Sequence, residues 1–399
     1  MVRILHTADW HIGHTFFGYD RTTEHLHFFD WLSTQLNIHK VDVLLVSGDI
    51  FDSMNPSAAS QRMFFNFMRK AKKENPHLQM IFIAGSHDSP GRLEAPTPLL
   101  QDLDITIKGQ PFLIQDKPLL DDLIIPLAGD SGEVEALCLL FPHMHYREIP
   151  LVGGTREFCK MLINHALEKK SDEQSLVSLG YLNVVDDINS VSYDSGVLSE
   201  LEPVSSDIFA ESFVYTGLGY DHQMRTVAGH DNVRYAGSPL AMSFEERDSK
   251  RGGILVTIEP GKDTKIEELA YSPLIKLLSI PGDTPLPEDE IVHLLNELPE
   301  RKDDLHLPFL ELRVLVSNQS PQLRLNMEQI LKNKAARLAR IITSWKGVGE
   351  QMTEEEIMTM GLQDMTPLQI ARITYEKAYQ TAMPNDLQIL LHELFAMLH

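Results

Sequence analysis

An α/β fold is expected for this chain, and three strand-to-loop junctions predict it. Arg3-Ile4-Leu5 runs into Asp9-Trp10-His11, Val41 to Ser47 into Gly48-Asp49, and Met80 to Ala84 into Gly85-Ser86-His87-Asp88. Segments with helical apolar spacing separate the three, so strand and helix alternate as in βαβ units with a parallel sheet. Polar tips at the carboxyl ends of such strands gather in the crevice where these sheets hold ligands.

The elements follow in order. Residues 21–39 place Leu26, Phe28, Phe29, Leu32 and Leu36 on one helical face. Asn55-Pro56-Ser57 gives a helix start ahead of Met63, Phe64, Phe67 and Met68. From about residue 105 short strands and turns take over, at 123–126, 137–141, 213–218 and 253–258, with one helix at 158–169. Residues 259–265 read as a hairpin turn, and a boundary is expected at Tyr271-Ser272-Pro273. Domains are therefore expected at 1–271, 272–350 and 351–399. The second reads as strand 274–280, helix 287–298, strand 308–316 and helix 323–342. Its Lys332, Lys334, Arg337, Arg340 and Lys346 run without an acid, which suits a solvated helix face or a contact with phosphates or an acidic partner. Thr366-Pro367 and Pro384-Asn385 open a terminal pair of helices, to about 379 and 398. Their apolar faces need the body of the protein or another chain to cover them.

Bulk composition narrows the class. A chain of 399 residues with 43% hydrophobic and 23% charged residues buries a full core without staples. Cys138 and Cys159 stand outside any paired ligand motif, which excludes a disulfide framework and favours a reducing compartment. No apolar run approaches the roughly 20 residues that span a bilayer, and no leader pattern precedes the first strand. A cytoplasmic location is expected. The net charge of −22 argues against general adhesion to nucleic acid. Residues 1–100 are nearly balanced, however, with nine Lys/Arg against ten Asp/Glu. A polyanion would meet a local patch or a metal site there.

The strand tips carry the chemistry. Asp9 and His11 are two residues apart, so on a strand they share one side, and Asp49 has two oxygens with which to bridge two cations. Gly217-Leu218-Gly219-Tyr220-Asp221-His222 ends another apolar segment in a glycine turn with a histidine. Each residue alone has a plainer explanation, as a helix cap or a hydrogen-bonded histidine. Their joint occurrence, in order and at strand ends, points to a metallophosphoesterase. Carboxylate and imidazole together suit Mn²⁺, Fe²⁺ or Zn²⁺ better than Ca²⁺ or Mg²⁺. Two such ions about 3.5–4 Å apart activate water and clamp a phosphodiester.

Longer motifs sharpen the resemblance. Leu5-His6-Thr7-Ala8-Asp9-Trp10-His11-Ile12-Gly13 is similar to the H-T-S/A-D-W-H-L-G opening of SbcD-type nuclease subunits, in the calcineurin-like metallophosphoesterase superfamily. Val46 to Asp52 resembles their V-x-G-D-x-F-D segment, and Gly85-Ser86-His87-Asp88-Ser89 stands at their G-N-H-D-S. Tyr235-Ala236-Gly237-Ser238-Pro239, with Ser243-Phe244-Glu245-Glu246 and Lys250, resembles the Y-x-G-S-P and S-F-x-E-x-x-x-K run. Met365-Thr366-Pro367-Leu368 resembles the start of the family's helical tail. The resemblance implies a β-sandwich flanked by helices, a small α/β capping domain at 272–350, and a C-terminal helical pair. It further implies that the tail binds the coiled coil of an SbcC-like ABC-type ATPase, and that the substrate is DNA ends. Mn²⁺ is the activator it implies, and homodimerisation falls to helices within 56–73.

Carried over by motif, the family's first half-site is Asp9, His11, Asp49 and His222, all present. The second consists of the shared Asp49 and three further positions, which here read Ser86, Tyr181 (in Gly180-Tyr181-Leu182) and Tyr220. His87 holds the place of the residue that stabilises the phosphoryl transition state, with Asp88 orienting it. Drift would strike both half-sites, so a one-sided loss implies that the second ion is dispensable. Tyrosine ligates well only after losing a proton of pKa about 10, a cost of roughly 4 kcal/mol at pH 7. The expectation is a single-ion centre in which the phenols and Ser86 fill the vacated volume. Activity is then weak, and DNA-end binding and ATPase partnering dominate. Two alternatives stand beside it: a fully active nuclease with tyrosinate ligands, as on Fe³⁺, and a stand-alone small-nucleotide phosphodiesterase.

Overall fold

A computed structural model of the chain describes residues 1–115, 117–129, 132–144, 154–185, 201–227, 229–302, 306–316 and 322–345, with isolated positions between 371 and 391. It divides into two compact units, the first holding most of the chain up to Leu278 and the second most of the chain from Ser279.

The first unit opens with the expected alternation. Val2–Thr7 (β1), Val43–Ser47 (β2), Gln79–Ile83 (β3) and Ile105–Lys108 (β4) form parallel neighbours. Thr22–Ile38 (α1) and Ala58–Glu74 (α2) lie between them in the chain. Ser57 caps α2 by accepting the Ser60 N–H, so the Asn-Pro-Ser start works as a helix signal should. A second sheet collects Ile124–Ala128 (β5), Val134–Phe141 (β6), Ser175–Tyr181 (β7), Tyr215–Gly219 (β8), Arg225–Val227 (β9) and His230–Tyr235 (β10). Gly154–Lys169 (α3) precedes β7. Gly252–Ile258 (β11) and Lys265–Ala270 (β12) form a hairpin that returns to the first sheet. The orders are β12-β11-β1-β2-β3-β4 and β9-β10-β8-β7-β6-β5.

Strand alternation divides the core in two. Val2, Ile4, Val43, Leu45, Ile81 and Ile83 face the second sheet, while Leu5, Leu44, Val46, Met80 and Phe82 face α1 and α2. Successive side chains point to opposite faces, so strands covered on both sides read as unbroken apolar runs. Trp10 centres the helical side. Its ring stands edge-on to Phe29 at 5.1 Å, Phe67 at 5.4 Å and Phe82 at 5.9 Å.

A histidine lies buried between the sheets. His6 is fully buried, with Nδ1 2.7 Å from the Tyr215 hydroxyl and Nε2 2.7 Å from that of Ser47. Burial pushes its pKa down to about 3, so the folded chain keeps this imidazole neutral while the unfolded chain protonates it near 6.5. The unfolded state then binds more protons, and stability falls as pH drops from 6.5 toward 3. Between pH 7 and pH 5 His6 is expected to cost about 2 kcal/mol of stability. Urea midpoints of the wild type and His6→Gln at the two pH values check this, the variant losing less.

The second unit holds the later part of Leu277–Ile280 (β13), Leu286–Pro287 (β14), Glu288–Glu297 (α4), all but the first residue of Phe309–Val316 (β15), Leu323–Leu331 (α5) and Arg337–Trp345 (β16). β15 pairs with β13, β14 and β16. The helix expected over 323–342 therefore ends early, and the basic run is no helix face. Lys334 N–H returns to the Leu331 carbonyl in a turn, and the β-branched Ile341-Ile342-Thr343 favour the extended chain that follows. Within the strand, Arg340 donates to the fully buried Glu311, which also accepts from Arg313 and from Ser279. Two of the unit's cations thus serve an internal ion cluster. The helical pair expected from Thr366 onward lies outside the described residues, save for isolated positions. Among the described residues, no helix is long and apolar enough to cross a membrane.

Candidate metal centre

The first three parallel strands stop at Thr7, Ser47 and Ile83, and the loops after them interlock. Asp9 N–H donates to the Gly48 carbonyl at 3.1 Å, His11 N–H to that of Asp49 at 2.9 Å, and Ile12 N–H to that of Ile50 at 3.0 Å. Asp9 and His11 lie in the turn itself, past the strand. Their φ angles of 50° and 46°, with 44° at Asp49, are left-handed, a conformation costing about 1–2 kcal/mol per L-residue. The interlocking loops sustain three such residues together, as strained functional sites do. Gly48 has φ 83°, and a Cβ there would lie 2.1 Å from the Tyr181 ring. Only glycine lets that ring pack against the loop.

Asp88 corrects one expectation. Its buried carboxylate accepts N–H groups from Ile50 and Gly85 at 3.0 Å and from Phe51 at 2.9 Å. It fastens the second loop to the third and does not orient His87. Burial and Asp49 push its pKa up to about 7, against the pull of those donors. The orienting contact falls to the Asp52 carbonyl, 2.9 Å from His87 Nδ1.

Asp9, His11 and His222 converge, their ligand atoms lying within 4.8 Å of one another. His11 Nε2 is 3.3 Å from His222 Nε2 and 3.6 Å from Asp49 Oδ2. His87 joins His11 and Asp49 in a second such group. Burial and the neighbouring Asp49 hold the Asp9 carboxyl well above its usual range, although the Tyr220 N–H donates to it at 3.1 Å. Asp9, His11 and His222, with Asp49 beside His11, are a donor set that fits a divalent ion.

Around Asp49 the donors change character. Oδ1 accepts the His87 N–H at 2.8 Å, and Oδ2 accepts the Tyr181 hydroxyl at 2.8 Å. The Ser86 hydroxyl lies 2.9 Å from that of Tyr181, and the Tyr220 ring meets the Tyr181 ring edge-on at 5.8 Å. Burial, Asp49 and Asp9 all raise the Tyr181 pKa far above that of a free phenol. On this side of Asp49 the chain thus offers hydroxyl groups in place of imidazoles, with the Tyr181 proton given to Asp49. Beside the centre a cleft of about 360 Å³ is lined by Asn183, Tyr220, His222, Arg225 and Tyr235, among others.

Sequence reasoning assigned no role to two further carboxylates. Asp52 Oδ1 is 3.4 Å from His11 Nδ1, and Glu246 Oε1 is 3.3 Å from His222 Nδ1. Both lie within motifs visible in the sequence, F-D and S-F-x-E, but their aim depends on the fold.

A two-sheet sandwich with carboxylates and imidazoles on its strand ends is the architecture of the calcineurin-like phosphoesterases, and the chain belongs to that family, whose description matches residues 2–232. Its relatives over most of its length include the SbcD subunit of the SbcCD nuclease from several bacteria. The chain is 30% identical over 353 residues to the SbcD of Rhodobacter capsulatus, covering 85% of this chain and 86% of that one. The SbcD of Escherichia coli K12 is 27% identical over 71% of each chain. That of Bacillus subtilis is 28% identical over 69% of this chain and 72% of its own. Within the family, this is an SbcD-type chain.

Proposed function

We propose that this chain is the SbcD-like subunit of an SbcCD-type DNA end-processing complex, with one ion held by Asp9, His11, Asp49 and His222. The observation that carries the reading is the Tyr181 hydroxyl donating to Asp49 Oδ2. The phenol donates where a second cation would have to compete for Asp49, Ser86 lies 2.9 Å from that phenol, and the Tyr220 ring packs against the Tyr181 ring. A divalent ion at the remaining donors supplies Lewis acidity toward a phosphodiester. His87, held through Nδ1 by the Asp52 carbonyl, is the group available to donate to a phosphoryl oxygen. Asp88 keeps the second and third loops in register.

Losing one ion of a two-ion clamp removes several kcal/mol of transition-state stabilisation. At 1.36 kcal/mol per tenfold, roughly 4 kcal/mol is a rate defect of about a thousandfold. Binding DNA ends and serving a coiled-coil ATPase partner through the C-terminal helices then become the chain's main work, with dimer contacts through helices within 56–73. The tyrosinate alternative is opposed by the same contacts: burial and two carboxylates hold the phenol protonated, so ionisation costs more than in water. Mn²⁺-dependent exonuclease assays with the cognate ATPase present test the proposal. Cleavage about a thousandfold below that of a two-ion SbcD supports it, and ordinary family-level cleavage contradicts it.

A further inference from the structure

Each imidazole of the proposed ion site is backed by a carboxylate on its far nitrogen. His222 Nδ1 is hydrogen-bonded to Glu246 Oε1 at 3.3 Å, and His11 Nδ1 lies 3.4 Å from Asp52 Oδ1, at ion-pair distance but outside hydrogen-bond geometry. Both rings therefore turn Nε2 inward, where the two atoms stand 3.3 Å apart. Glu246 is itself held on every side. Its Oε2 accepts the Met242 N–H at 3.1 Å and Arg251 Nη2 at 3.3 Å. The same Nη2 reaches the Glu246 carbonyl at 2.7 Å, and Arg251 Nη1 donates to the Ser238 carbonyl at 2.9 Å. Arg251 is only 6% exposed. A buried guanidinium thus fixes the carboxylate, and the carboxylate fixes the ring.

We infer that Glu246, locked by Arg251, and Asp52 are positioning residues that preset His222 and His11 as Nε2 donors to one divalent ion. Carboxylates behind ligating histidines select the tautomer and raise ligand basicity. Among the described residues, both imidazoles of the Asp9–His11–His222 group have a carboxylate behind them. The positions of Ser86, Tyr181 and Tyr220 offer no nitrogen for such support to act on. The sequence has kept one ion's ligands together with the groups behind them.

The inference rests on the single-ion reading above, and the experiment separates the two. Mn²⁺ binding to the full-length protein is followed by titration calorimetry and by the electron spin resonance of free Mn²⁺. The wild type, Glu246→Gln, Glu246→Ala, Asp52→Asn, His222→Ala and the double variant Glu246→Ala/His222→Ala are compared, each checked for folding by circular dichroism. Glu246→Ala and Asp52→Asn are expected to weaken binding about ten- to a hundredfold, with Glu246→Gln in between because its amide oxygen still accepts. In the His222→Ala background, removing Glu246 is expected to cost nothing further, which a merely structural role would not produce. Unchanged affinity in Glu246→Gln and Glu246→Ala, or losses that add in the double variant, overturns the inference. If Glu246→Ala does not fold, Glu246→Gln and Asp52→Asn decide by the same criterion. A wild type that binds no Mn²⁺ overturns the single-ion reading itself.

Discussion

Replacing Ser86→Asn, Tyr181→His and Tyr220→His together is expected to bring a second ion into the centre and raise Mn²⁺-dependent cleavage about a thousandfold. The argument is local. Histidine is smaller than tyrosine, so it fits against Gly48, where the Tyr181 ring already packs. Removing the phenol frees Asp49 Oδ2 from its 2.8 Å hydrogen bond, and the three changes supply the donors that Ser86, Tyr181 and Tyr220 lack. Restoring one ion's worth of charge stabilisation, roughly 4 kcal/mol, gives the stated factor. Single reversions should achieve little, since any one of them leaves an incomplete ligand set. Metal content and nuclease rate of the triple variant are the readouts. A second ion without a change in rate would show that something other than the missing cation limits cleavage.

Trp10→Ala is expected to have the largest effect on stability, with a functional consequence attached. The indole is fully buried, ringed by Phe28, Phe29, Phe64, Phe67 and Phe82, and its Nε1 donates to Thr7 Oγ1 at 3.2 Å. Truncations of this kind cost about 3–5 kcal/mol, because the cavity left behind collapses only in part. Trp10 also lies between Asp9 and His11 in the chain, and both neighbours hold left-handed backbone. Without the anchor that strain has less to sustain it, so Mn²⁺ affinity should fall with stability. Denaturant midpoints with and without Mn²⁺ check both effects. A loss of stability at unchanged Mn²⁺ affinity would mean the loops hold their shape unaided.

Much of this was legible in the sequence, for identifiable reasons. Strands buried on both faces announce themselves as apolar runs, and their polar ends named Asp9, His11, Asp49 and His87. Glycine turns pointed to Tyr220 and His222, and the short Gly180-Tyr181-Leu182 match led to the ring that lies against Asp49. What escaped depends on folding at a distance. The strand Arg337–Trp345 was hidden behind a helix that begins well at Leu323, and its Arg340 pairs with the buried Glu311 on the adjacent strand. Asp88 looks like a partner for its neighbour His87, yet its carboxylate turns back on three backbone N–H groups. Glu246 stood in a recognised motif, but nothing in the motif says that it faces an imidazole from another loop.

The central claim is that one ion's site is complete and the other's is closed by Tyr181. Counting Mn²⁺ per chain tests it most directly, by calorimetric stoichiometry on the full-length protein and by anomalous scattering from crystals soaked in Mn²⁺. One ion per chain, within reach of Asp9, His11, Asp49 and His222, is the predicted result. Two ions per chain, with the second beside Ser86, Tyr181 and Tyr220, would contradict it.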